Sequence, residues 1–261
     1  MSFTPHRTPI LLPDLRRGFT LVELLIVVAI IVIMMALVGP AVTAIKGAQD
    51  ITTSAYTVSG AIETARSYAT ANNTYTWIGF FEEDPTRGAG VSGTGRLVIS
   101  MVSSKDGTLI YPSVTGTVAN IDPTRLSQIN KLIKIDNIHL KTAPSTTDPL
   151  FPIGSGGGDT FLLRPAVSGT AEQIGDTSPS PSLTPFQYPV SGTSRAIYTF
   201  TKVIQFSPRG EARINNTSYN IEPVIEIGLQ AAHGSVVSTT SKNVLALQVT
   251  GLAGNVAIYR R

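Results

Sequence analysis

Between Phe19 and Val38 the chain reads FTLVELLIVVAIIVIMMALV, apolar throughout except for Thr20 and one carboxylate, Glu23. A helix of roughly 20 such residues, rising about 1.5 Å each, spans a hydrocarbon core about 30 Å thick. A charge at the centre of such a run costs on the order of 2.5–3.5 kcal/mol and less near an end, and carboxylates inside membranes normally have a partner. Glu23 therefore reads as a functional residue. Two plainer readings compete with this one. A secretory signal has a shorter apolar region followed by a small-residue cleavage site, whereas this run is long, holds Glu23 and continues into a patterned helix. A simple anchor accounts for the length but leaves the carboxylate without a reason.

Charge sets the orientation. Arg7, Arg16 and Arg17 precede the run with Asp14 alone against them, so most of the formal net charge of +3 lies in the first 18 residues. Arginines on that side place this end in the cytoplasm and the C-terminal bulk in the periplasm or outside the cell. The basic balance is then weak support for a nucleic-acid partner. No cysteine is present, which excludes disulfides and thiolate metal sites.

At the start of the run, Arg17-Gly18-Phe19-Thr20-Leu21-Val22-Glu23-Leu24-Leu25 resembles the class III signal of type IV prepilins and type II secretion pseudopilins. The resemblance implies that prepilin peptidase cuts between Gly18 and Phe19 and methylates the freed amino group of Phe19. Glu23 becomes the fifth residue of the mature chain. Phe19 and Glu23 are four apart and share a helix face, and a freed amine is a cation able to compensate a carboxylate; in the family that amine belongs to a neighbouring subunit during assembly. Gly39-Pro40 stands where the family commonly carries a proline, and it would kink or locally melt the helix because Pro40 has no N–H to donate to Ala36.

Past Pro40, Ala41, Ala44, Ala48, Ile51, Ala55, Val58, Ile62, Ala65 and Ala69 recur in steps of three and four, which predicts an amphipathic helix to about Ala71, ended by Asn72-Asn73. Strand patterns follow at 75–81, 97–102 and 132–140. Residues 143–193 are rich in Pro, Ser, Thr and Gly and read as a long surface insertion. Ala196, Tyr198, Phe200, Ile204 and Phe206 then lead into Ser207-Pro208-Arg209-Gly210, a type I turn returning through Ala212 and Ile214. Ile221, Ile225, Ile227 and Leu229 alternate with polar residues as a strand buried on one face, with Pro223 suggesting a sheet edge. Leu245–Val249 and Val256–Tyr259 complete an α+β chain: leader 1–18, membrane and assembly half of the helix 19–40, amphipathic half 41–72, and a β-rich domain 73–261.

This order resembles that of the pilin-like fold. The helix segment IETARSYATANNTY (62–75) and the hairpin VIQFSPRGEARI (203–214) are similar to H-type minor pseudopilins and FimT-like pilins, which show an ARxxA-like helix end and an F-x-P-x-G hairpin. The Pro-rich insertion departs from their compact pattern. Major pseudopilins bind calcium through acidic C-terminal loops, and no Asp-rich loop is present to carry that over.

Other chemical signals are weak. Gly88-Ala89-Gly90-Val91-Ser92-Gly93 spells G-x-G-x-x-G, but a strand follows it where a dinucleotide site needs a helix, so it reads as a loop. His6, His139 and His233 match no catalytic motif. Glu82, Glu83 and Asp84 precede Pro85 and read as a solvated turn. Arg209, Arg213, Arg260 and Arg261 form a basic patch if the last strands pair, and FimT-like relatives suggest DNA uptake for such a patch; Glu211 interrupts it.

The expectation is a non-enzymatic filament subunit of a type II secretion pseudopilus or type IV pilus-like filament. It crosses the bacterial inner membrane once, without catalytic residues, cofactor, metal or small-molecule substrate. Its expected partners are other pilin or pseudopilin subunits, prepilin peptidase, the inner membrane and a secretion assembly platform. The alternative is a membrane-tethered extracellular binding module, for DNA or another extracellular ligand, such as a DNA-uptake minor pilin that binds nucleic acid through Arg209 and Arg213.

Overall fold

The structure, a computed structural model, describes residues 20–110, 121–142, 164–165, 167, 172–176, 185–190, 195–214, 221–237 and 243–260, with the side chains of 36–50 excepted. The chain divides into two compact units, Met1–Ala44 and Ile45–Arg261. Helix α1 is assigned over Leu21–Ala71 and contributes residues to both. In the first unit every apolar side chain of the helix among the described residues is exposed, Leu21 by 79% and Val27 by 46%.

The second unit is α+β. Its strands are β1 (Thr76–Glu83), β2 (Gly95–Ser104), β3 (Leu126–Gln128), β4 (Ile133–Leu140), β5 (Gln173–Ile174), β6 (Phe186–Tyr188), β7 (Tyr198–Phe200), β8 (Lys202–Phe206), β9 (Ala212–Arg213), β10 (Val224–His233), β11 (Val236–Val237), β12 (Val244–Thr250) and β13 (Val256–Arg260). Eleven of them form one sheet in the order β13-β12-β10-β4-β2-β1-β8-β9, with β3, β5 and β11 as short side pairings; β6 and β7 form a separate hairpin-like pair. The large sheet is antiparallel apart from β5, which runs parallel to β10 through Glu226↔Gln173 and Ile227↔Ile174.

The helix stripe predicted from spacing is buried where it is described. Ile51, Ala55, Val58, Ile62, Ala65 and Ala69 join Ile78, Phe80, Leu97, Ile99, Ile204, Phe206, Ile227, Leu229, Leu247 and Val249 in one core. Each fully buried Ile, Leu or Phe contributes about 1.5–3 kcal/mol, and the alanines keep the helix backbone close to the sheet. Thr76 Oγ1 donates to the Ala65 carbonyl at 2.9 Å, fastening β1 to the helix. The helix ends as expected: Asn73 takes a left-handed φ of 49° and Thr74 N donates back to Ala69 O at 3.0 Å, a Schellman-type stop.

Strand alternation builds a second core on the opposite side of β1. Trp77, Val98, Val102, Phe186, Tyr198, Phe200 and Val203 are buried there, with Phe81 packed against them. The rings of Phe186 and Phe200 lie so close over Gly79 that an added Cβ would sit 2.5 Å from Phe200 Cβ. The loop 88–93 between β1 and β2 is not followed by a helix, as the sequence implied.

Three expectations are overturned. Residues 143–193 are not entirely a surface insertion: Gln173–Ile174 and Phe186–Tyr188 are strands, and Ile174 and Phe186 are fully buried. Pro223 marks no sheet edge; it precedes β10, which lies between β12 and β4 and is buried on both faces, its Glu226 ion-paired to Arg164 at 2.8 Å. Glu82 and Glu83 are no solvated turn. They close β1, and Glu83 is 1% exposed because four donors converge on it: Lys134 Nζ at 3.0 Å, Tyr198 Oη at 2.8 Å, Arg96 Nη1 at 3.1 Å and Gly90 N at 3.2 Å. These donors come from positions 90, 96, 134 and 198, which local patterning cannot bring together.

Burial by itself would raise the Glu83 carboxyl, but Lys134, Tyr198, Gly90 and Arg96 together outweigh it and lower its pKa to about 2. A depressed carboxyl stabilises the fold above its ordinary value of 4.5, and that contribution is lost as pH falls from there towards 2. Glu83→Gln is expected to cost on the order of 3 kcal/mol at neutral pH and to flatten the loss of stability across that acid window. Urea unfolding at a series of pH values checks this; parallel pH profiles for the two proteins would refute it.

Candidate assembly and processing site

The start of α1 is built by two residues. Thr20 is the last non-helical residue, and its Oγ1 accepts from Glu23 N at 3.2 Å while Glu23 Oε2 accepts from Thr20 N at 2.9 Å. Thr20 Oγ1 also donates to Glu23 Oε2 at 2.9 Å. This reciprocal pair is a capping box, which satisfies two of the N–H groups that a helix start leaves unpaired. Glu23 thus has a partner within its own chain, Thr20, which the sequence reading passed over although Thr-x-x-Glu spells it. Gly18 and Phe19 lie outside the described residues. Gly39 and Pro40 lie within the span assigned to α1, in the stretch whose side chains are outside the described residues.

Among the described residues no helix is long and apolar enough to cross a membrane. The fully described part of the apolar run stops at Met35, short of the roughly 20 residues a span requires.

In the second unit the two segments that suggested a subtype meet. The hairpin turn forms as expected: Gly210 N donates to Ser207 O at 2.8 Å, and Ser207 Oγ accepts from Arg209 N at 3.2 Å. Gly210 has a φ of +85°, and a Cβ added there would lie 3.3 Å from Arg66 Nε; one added at Gly254 would lie 2.8 Å from Arg66 Cδ. Arg66 of the ARSYA segment is therefore packed under the FSPRG turn, with Nη1 paired to Glu63 at 3.2 Å. Sequence similarity suggested both segments; their contact required the fold.

The basic patch is divided. Arg209 is exposed at the turn, while Arg213 pairs with Glu211 at 3.4 Å. Arg260 lies on β13 and donates to Thr52 Oγ1 of the helix, and Arg261 is outside the described residues. His233 is exposed, His139 is held between Glu82 and Asp176, and His6 is outside the described residues. Among the described residues no group of three or more His, Cys, Asp or Glu is arranged to hold a metal ion.

Residues 14–39 match the family model of the prokaryotic N-terminal methylation motif. The chain carries a type IV pilin-like N-terminus. The motif spans Gly18, Phe19, the Thr20–Glu23 capping box and the apolar run, and it marks a substrate of prepilin peptidase that assembles with other pilin subunits. Comparison with curated proteins gives no match, and neither does comparison with solved structures.

Because the cap is reciprocal, Thr20→Ala removes both the side-chain acceptor for Glu23 N and the hydroxyl donor to its carboxylate. The expected cost is about 1 kcal/mol of helix-start stability, read as faster amide hydrogen exchange confined to the first turn, residues 21–24. Unchanged exchange there would show that the cap is dispensable.

Proposed function

We propose that this protein is a structural, non-enzymatic subunit of a type II secretion pseudopilus or type IV pilus-like filament, a minor pseudopilin of the H type. The observation that carries this reading is the methylation motif at 14–39, which includes the start of the helix that further along forms the spine of the β-rich unit. Residues 1–18 are the leader, 19–40 hold the protein in the inner membrane and assemble, 41–72 support the domain, and 73–261 form it beyond the membrane in a pilin-like fold. The exposed apolar side chains of Leu21–Met35 suit a lipid environment before extraction and packing against other subunits afterwards. Such a subunit needs neither cofactor nor metal nor small-molecule substrate.

The H-type assignment rests on the packing of Arg66 beneath the Ser207–Gly210 turn, which joins the two segments that resemble that subgroup. In this reading Glu23 has two successive partners: Thr20 within its own chain, and the methylated amine of a neighbouring Phe19 in the filament. A second reading, a DNA-uptake minor pilin, is favoured only by the exposed Arg209, since Arg213 already has Glu211. Salt-dependent DNA binding abolished by Arg209→Ala would promote it.

Mass spectrometry of the native protein is expected to find N-methylated Phe19 at the start of the chain and no residues 1–18; an intact Met1 end would overturn the processing assignment. Glu23→Ala should still insert into the membrane but lose most of its incorporation into sheared filaments, scored by immunoblot of the shear fraction. Undiminished incorporation would remove the assembly role.

A further inference from the structure

The β5 segment is joined to the large sheet by only two residue pairs, Gln173 and Ile174 against β10. What secures the residues immediately after it is a cluster of charged side chains. Asp176 Oδ1 accepts from Thr142 N at 2.9 Å, and Asp176 Oδ2 faces Lys141 Nζ at 3.4 Å and His139 Nε2 at 3.5 Å. Lys202, on β8, donates to the carbonyls of Gly175 and Asp176. On its other side, the His139 ring places Nδ1 2.8 Å from Glu82 Oε1, at the end of β1. The charged groups around the imidazole are Glu82 from β1, Lys141 just past the end of its own strand β4, Asp176 from the segment after β5, and Lys202 from β8; its partner on β10, Gln230, is uncharged. The cluster borders a cleft of about 290 Å³ that reaches Phe80 and Thr201.

Both ring nitrogens of His139 face carboxylate oxygens. Protonated, the ring donates to both; neutral, it has one N–H, and one carboxylate must then face a lone pair. We propose that His139 is a proton-dependent clasp that holds the 173–176 segment against the sheet and releases it as pH rises, opening the cleft beside Phe80.

Burial by itself would lower the His139 pKa, but Asp176 and Glu82 outweigh it and raise it from 6.5 to about 9. A raised histidine pKa gives stability that is complete below 6.5 and is lost as pH climbs to about 9. Lys202 works in the opposite direction, since burial lowers its pKa from 10.5 against the pull of Glu82 and Asp176.

Hydrogen exchange of the full chain in detergent micelles tests the clasp, with each rate divided by the unfolded-peptide rate at the same pH. Protection of residues 173–176 and Thr142 is expected to fall roughly a hundredfold between pH 6.5 and 9, while the β1–β2 amides keep theirs. In His139→Gln it should be low and independent of pH. A flat wild-type profile, or an equal fall in His139→Gln, overturns the proposal. If that variant does not fold, the NMR titration of the wild-type His139 ring decides: a midpoint displaced towards 9 supports the clasp, and an ordinary one near 6.5 overturns it.

Discussion

Everything in the β-rich unit depends on the burial of one helical stripe. Ile51, Ala55, Val58, Ile62, Ala65 and Ala69 lie against a sheet too broad to cover its own apolar face, and without the helix Ile78, Phe80, Ile99, Ile204, Ile227 and Leu247 would be open to water. Small side chains at three of the six helix positions let the backbone come close enough for Thr76 to bond Ala65 O, and for Arg66 to slide beneath the 207–210 turn. The same helix thereby sets where the first strand begins and where a hairpin some 140 residues later must close.

The end of β1 is the second point of organisation. Consecutive carboxylates on a strand project to opposite faces, and each is compensated by a different set of donors. Glu83 gathers Arg96, Lys134 and Tyr198 beside the aromatic core; Glu82 meets His139, which in turn reaches Asp176. Buried ionic groups add little net stability when complete, but they penalise any arrangement that leaves one member unpaired. Together they hold β2, β4, the β7 tyrosine and the β5 segment in one register around β1.

At the other end of the chain the chemistry is local. Thr20 and Glu23 satisfy one another within four residues, so the carboxylate that looked anomalous in an apolar run has a partner even in the single chain. The same pairing satisfies two of the N–H groups that the helix start would otherwise leave open. The two units thus use charge differently: one to fix register in a folded core, and one to cap a helix terminus.

Sequence alone determined the features with short-range causes. The 3.6-residue spacing of Ile51 to Ala69 named the buried helix face, Ser207-Pro208-Arg209-Gly210 named its own turn, Asn72-Asn73 the helix stop, and Arg17 to Leu25 the processing signal that the methylation motif supports. Only the tertiary structure decided the rest. Glu82-Glu83-Asp84 has the local composition of a solvated turn, and nothing within ten residues announces Lys134 at position 134 or Tyr198 at 198; their pairing is created by strand order, which brings β1, β2 and β4 side by side. Likewise Gln173–Ile174 lies in a Pro- and Ser-rich region where periodicity is silent, and becomes a strand because β10 offers it an unpaired edge beyond the end of β4. A backbone hydrogen-bonding edge attracts any segment able to reach it, whatever its side chains, and for that reason such pairings leave almost no trace in sequence.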